Sequence, residues 1–289
     1  MSIKGLQLIG ESINDSIPST KALLDANDFV NITKLAKFQD TEGADYIDVN
    51  VGLRSSDIMA KSIKNIQNVT AKPLVIDTPD IEIAEAGLRM YSPDKAENKL
   101  PILNSISLLR TEMLDLYKIQ PFMPVLMASE RSENGVNVAN KTSEETYQTV
   151  KQLINIVRNS NYRISNESCI VDLGIAPIGS DTEGMFKRVM DTLQLIRNDG
   201  DLKGIHFCVG LTNFTVMLPA KRFDGAPVKS ALENAFLTLA IPLGLDMIIG
   251  SVRRKYQLLT QDNPAVICLN EILQLEGFDV IMRIKEFYS

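Results

Sequence analysis

Five short apolar runs in this chain each stop at a carboxylate or a carboxamide. They are Tyr46-Ile47-Asp48-Val49-Asn50, Leu74-Val75-Ile76-Asp77, Ile102-Leu103-Asn104, Cys169-Ile170-Val171-Asp172 and Val209-Gly210-Leu211-Thr212-Asn213. A strand of a buried parallel sheet is apolar throughout, so a polar residue at its carboxyl end stands at the rim, where α/β enzymes carry their chemistry. Together the five ends suggest one shared pocket of acceptors and amides. Asp48 and Asn50 are two apart on a strand, so their side chains project from the same face. Such a lining suits a flat heterocycle with many N–H donors and one or two carbonyl acceptors, because carboxylates accept from an amino-pyrimidine edge while asparagines serve both ways. Each member also has a purely structural reading. Asp48 and Asn50 can hold the base of a loop, Asp77 precedes a Thr-Pro helix start, and Asn104, Asp172 and Asn213 can cap backbone.

Several other chemistries are disfavoured by what the set lacks. The single histidine, His206, sits inside Ile205-His206-Phe207, so no His-based metal site or Ser-His-Asp triad is readily assembled, and no metal is expected. It reads as a satisfied core or surface side chain. A Schiff-base aldolase needs a lysine on a barrel strand, and Lys203 lies before its run, at the wrong end. Asp77 and Asp172 could pair for glycoside hydrolysis, but the chain has no Trp, the commonest sugar-stacking platform. Cys169, Cys208 and Cys268 are far apart in apolar stretches and read as core thiols.

The elements that must position these residues alternate from end to end. The first run is Leu6-Gln7-Leu8-Ile9-Gly10, followed by a helix near Phe29 to Glu42; the run ending at Asn50 precedes a helix near Asp57 to Val69. Pro73 opens the third run, and Thr78-Pro79-Asp80 places an N-cap and a first-turn proline before a helix from Ile81 to Met90. A helix from Leu108 to Lys118 follows Asn104, and the fifth run is Met123 to Met127. Ser129 to Lys141 is polar, with Asn134-Gly135 as a turn signal. Thr142-Ser143-Glu144-Glu145 and Ser180-Asp181-Thr182-Glu183 read as capping boxes, opening helices to Asn159 and Asn198. The sixth and seventh runs end at Asp172 and Asn213. Leu245 to Ile249 is the eighth, between helices near Val228 to Leu239 and Asn263 to Gln274.

Eight βα units in 289 residues predict a single (β/α)₈ TIM barrel over residues 1–289. The competing doubly wound sheet would show a glycine-rich turn after its first strand, and Gly10-Glu11-Ser12-Ile13 is not one. A net charge of −6, with no basic run longer than Arg253-Arg254-Lys255, gives no footprint for nucleic acid. Met1 to Gly10 lacks the features of a signal peptide, and no run approaches the roughly 20 apolar residues needed to span a bilayer. These features predict a reduced, cytoplasmic enzyme with no membrane partner.

Ile9-Gly10-Glu11-Ser12-Ile13-Asn14, Asp48-Val49-Asn50-Val51-Gly52, Val75-Ile76-Asp77-Thr78, Leu103-Asn104-Ser105, Val171-Asp172 and Gly210-Leu211-Thr212-Asn213-Phe214 occur in the same order in another group of proteins. Together they resemble the pterin-binding methyltransferases, specifically methyltetrahydrofolate:corrinoid protein methyltransferases. Phe236 through Gly244-Leu245-Asp246 and the C-terminal helix are also similar, so the resemblance covers almost the whole chain. It implies a homodimeric barrel that moves a methyl group between nitrogen-5 of tetrahydrofolate and the cobalt of a corrinoid (cobalamin) carried by a partner protein. It further implies that Asp77, Asn104 and Asp172 hydrogen-bond the pterin and that Gly210 contributes backbone, with Thr212 beside it. Asn213 then lies near nitrogen-5 as the catalytic residue. Lys221 and Arg222 face the benzoyl-glutamate tail, while Glu11, Asp48 and Asn50 support the site.

The apolar Val216-Met217-Leu218 departs from the more polar stretch of acetogenic members. That departure points to a demethylation system, in which methyl groups from ethers, methylamines or betaines pass from a methylcorrinoid to tetrahydrofolate. One rival is dihydropteroate synthase, which carries a lysine after its seventh strand and an Arg-x-His after its eighth. Here those segments read Leu211-Thr212-Asn213-Phe214 and Gly250-Ser251-Val252-Arg253-Arg254. The other is a non-catalytic pterin- or corrinoid-binding subunit, with Arg253-Arg254-Lys255 either meeting an acidic partner or forming a solvated helix start.

Overall fold

Eight apolar runs close on one another in the computed structural model, which describes residues 3–289; the first two residues of the expected 1–289 domain and of the Met1 to Gly10 segment lie outside it. The barrel strands are β1 (Gln7–Asn14), β2 (Tyr46–Asn50), β3 (Leu74–Asp77), β4 (Ile102–Ile106), β5 (Met123–Met127), β8 (Ile170–Asp172), β9 (His206–Gly210) and β10 (Met247–Gly250). They are all parallel, in the closed order β1-β10-β9-β8-β5-β4-β3-β2. The chain folds as a (β/α)₈ TIM barrel. Between β5 and β8 an antiparallel hairpin, β6 (Glu130–Glu133) and β7 (Val136–Ala139), turns at Asn134-Gly135. Both turn residues have positive φ (52° and 79°), the conformation that favours Asn-Gly in tight hairpins.

The helices are α1 (Pro18–Asp25), α2 (Phe29–Thr41), α3 (Ser56–Ile66), α4 (Ile81–Met90), α5 (Ser143–Arg158), α6 (Met185–Arg197), α7 (Leu211–Phe214), α8 (Lys229–Ala240), α9 (Pro264–Ile272) and α10 (Phe278–Tyr288). Their apolar faces pack on the outside of the barrel, forming one large core with the outward residues of the strands. A separate small cluster plugs the interior: Ile9, Val75, Ile102, Val125, Ile170, Cys208 and Met247, with Tyr46 beside it. Strand side chains alternate faces, so the next inward residue on each strand lies two positions further on. That step gives Glu11, Asp48, Asp77, Asn104, Met127, Asp172, Gly210 and Ile249, of which all but Met127 line the site. The site is thus the layer directly above the apolar plug.

Several boundaries differ from expectation. β1 runs four residues past Gly10 through a register shift, and α1 then follows, unannounced by the sequence. The helix expected from Leu108 is a 3₁₀ helix over Thr111–Lys118. Thr142-Glu145 is a capping box, as the sequence suggested. Thr78 does not cap α4, because the Asp80 carboxylate accepts from Glu82 and Ile83 N–H and Thr78 only accepts from Asp80 N–H. Ser180-Glu183 is not a capping box either. Gly184 takes a left-handed φ of 73°, delaying α6, and Asp181 reaches forward to accept from Met185 and Phe186 N–H, each at 2.8 Å. The seventh strand stops at Gly210, so Asn213 stands on the helical turn α7 rather than at a strand end.

The Arg253-Arg254-Lys255 triplet is a loop, not a helix start. Arg253 lies over the Phe38 ring, and Arg254 Nε lies 3.3 Å from the buried Glu233 carboxylate. His206 Nδ1 lies 2.6 Å from Asp246 Oδ2, and the three cysteines are free and buried. No helix among the described residues is long and apolar enough to cross a membrane.

Candidate active site

A cavity of about 400 Å³ opens at the carboxyl ends of the strands. It is lined by Glu11, Asp48, Asp77, Asn104, Asp172, Gly210, Thr212 and Asn213, with Asn14, Ser16, Ile17, Gly174, Ile175 and Ile249. Four carboxylates therefore share one small space, and no lysine or arginine is in the lining. Among the described residues, no cluster of three or more His, Cys, Asp or Glu side chains suits a metal ion.

Burial dominates the electrostatics. It pushes Asp48 well above the usual carboxylate range, reinforced by the charges of Asp77 and Glu11. Asp77 is pushed up to about 6 by burial, with the Asn50 hydrogen bond partly offsetting it and Asp172 adding to it. Asp172 and Glu11 are raised by burial as well; the Gly174 N–H and Arg188 oppose the shift at Asp172, and the Thr212 hydroxyl opposes it at Glu11. In the free protein these acids hold protons more tightly than exposed ones, so the pocket is less charged than its composition implies. A ligand offering several N–H groups supplies the missing partners and favours the ionised acids.

Two of the acids, Asp77 and Asp172, are held from behind. Asn50 does not join the lining; its Nδ2 donates to Asp77 Oδ2 at 2.9 Å, and its Oδ1 accepts from Gly52 N–H. Asp172 Oδ1 accepts from Gly174 N–H at 2.8 Å, and the buried Arg188 donates to Gly174 O at 2.6 Å. Asp48 Oδ1 is buried without a hydrogen-bond partner among the described residues. Across the cavity, Thr212 Oγ1 donates to Glu11 Oε2 at 2.8 Å, tying α7 to the first strand. Phe214 packs against Phe236 and Phe186, with ring centroids 5.1 and 5.4 Å away. Gly210 matters for space, since a Cβ there would lie 2.8 Å from Asn213 Nδ2.

The structure thus brings Glu11, Asp48, Asp77, Asn104, Asp172, Gly210, Thr212 and Asn213 to one cavity. Lys221 and Arg222 lie on the loop beyond α7, outside that lining. Arg222 stands over the Phe287 ring and 3.6 Å from Asp224, and Lys221 bridges to Pro227. The sequence reading missed Asn14, Ser16, Ile17, Gly174, Ile175 and Ile249. Ile249 follows from strand alternation and Asn14 ends β1 beyond its register shift; the rest lie on connections whose course tertiary packing decides.

A closed parallel barrel with an acid- and amide-lined mouth defines a (β/α)₈ protein with a polar site at the carboxyl ends of its strands. Residues 14–250 match the model of the family described as pterin binding enzyme, and the chain belongs to that family. The methylcorrinoid:tetrahydrofolate methyltransferase of Eubacterium limosum is 26% identical over 252 residues, covering 84% of this chain and 83% of its own length. Among solved structures, 7,8-dihydropteroate synthase from Vibrio fischeri ES114 superposes with a TM-score of 0.58 at 15% identity, covering 86% of this chain and 88% of its own. Dihydropteroate synthase from Thermus thermophilus gives 0.55 at 16% identity, covering 88% and 90% respectively. At these identities the structural likeness establishes the barrel alone.

Proposed function

We propose that this protein is a methyltransferase that moves a methyl group from a corrinoid, carried by a separate protein, to nitrogen-5 of tetrahydrofolate. The observation that carries the reading is a cavity with four carboxylates and no basic side chain in its lining. Such a site favours a neutral ring rich in N–H donors and disfavours a diphosphate leaving group, whose charge the acids would repel. This argues against a dihydropteroate synthase, whose substrate carries one. The name of the Eubacterium limosum relative supports the same choice.

In this reading Asp77, Asn104 and Asp172 hydrogen-bond the pterin edge, and the Gly210 backbone approaches the ring. Asp48, whose affinity for a proton is raised by burial and by the charges of Asp77 and Glu11, limits repulsion in the free enzyme. When bound, the corrinoid supplies the methyl group. The chain's own contribution is to orient nitrogen-5 and to adjust its hydrogen bonding, because an in-line displacement is governed by alignment. Asn213 serves both directions: its amide oxygen accepts from the N–H of the attacking amine, and its amide nitrogen donates when that amine is the leaving group. The benzoyl-glutamate tail leaves the cavity toward Lys221 and Arg222. The protein acts as a cytoplasmic homodimer of single-domain subunits in a demethylation pathway.

The test is an anaerobic mixture of methylcob(III)alamin, tetrahydrofolate and protein, followed by the methyl-cobalt absorption band. Tetrahydrofolate-dependent loss of the band is expected, slowed by about 10²–10³ in Asn213→Ala, by analogy with removal of an oxyanion-hole donor. No loss, even with the cognate corrinoid protein added, refutes the function.

A further inference from the structure

α7 is only four residues long, and a single helical turn is marginal by itself, so tertiary contacts must hold it. One tie, Thr212 to Glu11, faces the cavity. The other lies behind. Thr215, the residue that closes the turn, is buried and donates to Glu233 Oε1 at 2.6 Å. Glu233 belongs to α8, is fully buried, and is outside the cavity lining. Its other oxygen, Oε2, makes no hydrogen bond among the described residues and lies 3.3 Å from Arg254 Nε, on the loop after β10.

A carboxylate this buried, with one hydroxyl and one guanidinium for company, is a poor source of stability. Apolar side chains of similar size usually serve a core as well or better, whereas buried ionic groups can fix geometry. What Glu233 fixes follows from helical periodicity. At 100° per residue, side chains two apart point in nearly opposite directions. Holding Thr215 back toward α8 therefore keeps Asn213 directed forward into the cavity.

We propose that Thr215 and Glu233, braced by Arg254, are positioning residues for Asn213. They form a latch behind the turn that sets the carboxamide against nitrogen-5. The proposal rests on the reading that Asn213 acts there, and it gives a role to a buried acid that pterin recognition does not use. It also commits the half-buried Arg254 to an ion pair within the chain rather than to a partner's surface.

The test compares Thr215→Val, Thr215→Ser and Glu233→Leu, each alone and combined with Asn213→Ala, in the methylcob(III)alamin and tetrahydrofolate assay. Thr215→Val and Glu233→Leu are each expected to lower kcat by about ten- to a hundredfold, the scale of a small misplacement of an aligning group. The Kd for tetrahydrofolate and the far-ultraviolet circular dichroism stay at parent values, and Thr215→Ser restores the rate. In the Asn213→Ala background neither substitution slows the enzyme further, because the group being positioned is gone. Unchanged kcat in both single variants overturns the latch. So does a loss that multiplies with that of Asn213→Ala, or one that appears as weakened tetrahydrofolate binding. An Asn213→Ala enzyme that turns over at the parent rate refutes the function assigned to Asn213, and the latch falls with it.

Discussion

Replacing Asp77 by Asn separates the cost of the site from its benefit. The Asp77 carboxylate holds its proton up to about pH 6 in the folded protein, against 3.8 when unperturbed, chiefly because of burial. At about 1.4 kcal/mol per tenfold change in proton affinity, keeping it ionised at pH 7.5 costs the empty protein up to about 3 kcal/mol. Asn has the same shape, and its amide oxygen can still accept from Asn50 Nδ2, now at 2.9 Å from Asp77 Oδ2. The expected gain at pH 7.5 is about 2–3 kcal/mol, or roughly 3–5 °C in Tm for a chain of this size. The sign with pH follows from the raised value. The folded state binds the extra proton between pH 3.8 and 6, so the parent recovers its stability on acidification. The variant's advantage is full above pH 6, shrinks as pH falls, and is gone near 3.8. Urea unfolding of the ligand-free proteins at pH 7.5, 6.0 and 5.0 measures it, while tetrahydrofolate titration at pH 7.5 should show at least a tenfold loss of affinity, on the order of one charge-assisted hydrogen bond. A variant no more stable at pH 7.5, or an advantage that is constant or grows toward pH 5, refutes the reasoning.

Two further substitutions test other parts of the structure. Gly210→Ala places a methyl 2.8 Å from Asn213 Nδ2 at an ordinary negative φ of −74°. Methyl transfer should fall about tenfold or more while stability changes by less than about 1 kcal/mol, since the obstructed atom ends a movable side chain; urea unfolding beside the rate measurement separates the two. Asp246→Asn removes the charged partner that raises the pKa of His206, mainly through their hydrogen bond. The stability lost, on the order of 1 kcal/mol, should be full below about pH 6.5 and disappear as pH rises through the raised histidine value. Unfolding midpoints at pH 6 and pH 9 check it.

How far the sequence reveals the site depends on what kind of rule places each residue. Asp48, Asp77, Asn104 and Asp172 follow from strand alternation alone, each two positions beyond the apolar side chain at the barrel's plug or beside it. Asn213 was placed at a strand end because Leu211-Thr212-Asn213 continues the apolar run, yet the strand ends at Gly210 and the chain coils at once. Strand alternation alone puts Asn50 in the pocket beside Asp48, but it is one layer higher and donates to Asp77, in keeping with the supporting position that the resemblance implies. Asp80 and Asp181 displaced the expected caps because a carboxylate can reach the first free N–H groups from more than one register. Glu233 and Arg254 are 21 residues apart in a helix and a loop, and their meeting depends on how α8 and the loop after β10 pack. No local pattern encodes it, and the raised acid pKa values likewise exist only once burial is known.

The placement of the turn that carries Asn213 has a consequence for how such an enzyme can change. On the proposed reading, the side chains that recognise the pterin all precede residue 175. Those beside nitrogen-5 begin at residue 210 and are braced from behind by α8 and the loop after β10, with the one hydrogen bond from Thr212 to Glu11 reaching back to β1. Recognition and reaction are therefore written in separate, consecutive stretches of the gene. A barrel of this design can acquire a new second stretch, and with it a new reaction, while continuing to read the same ring.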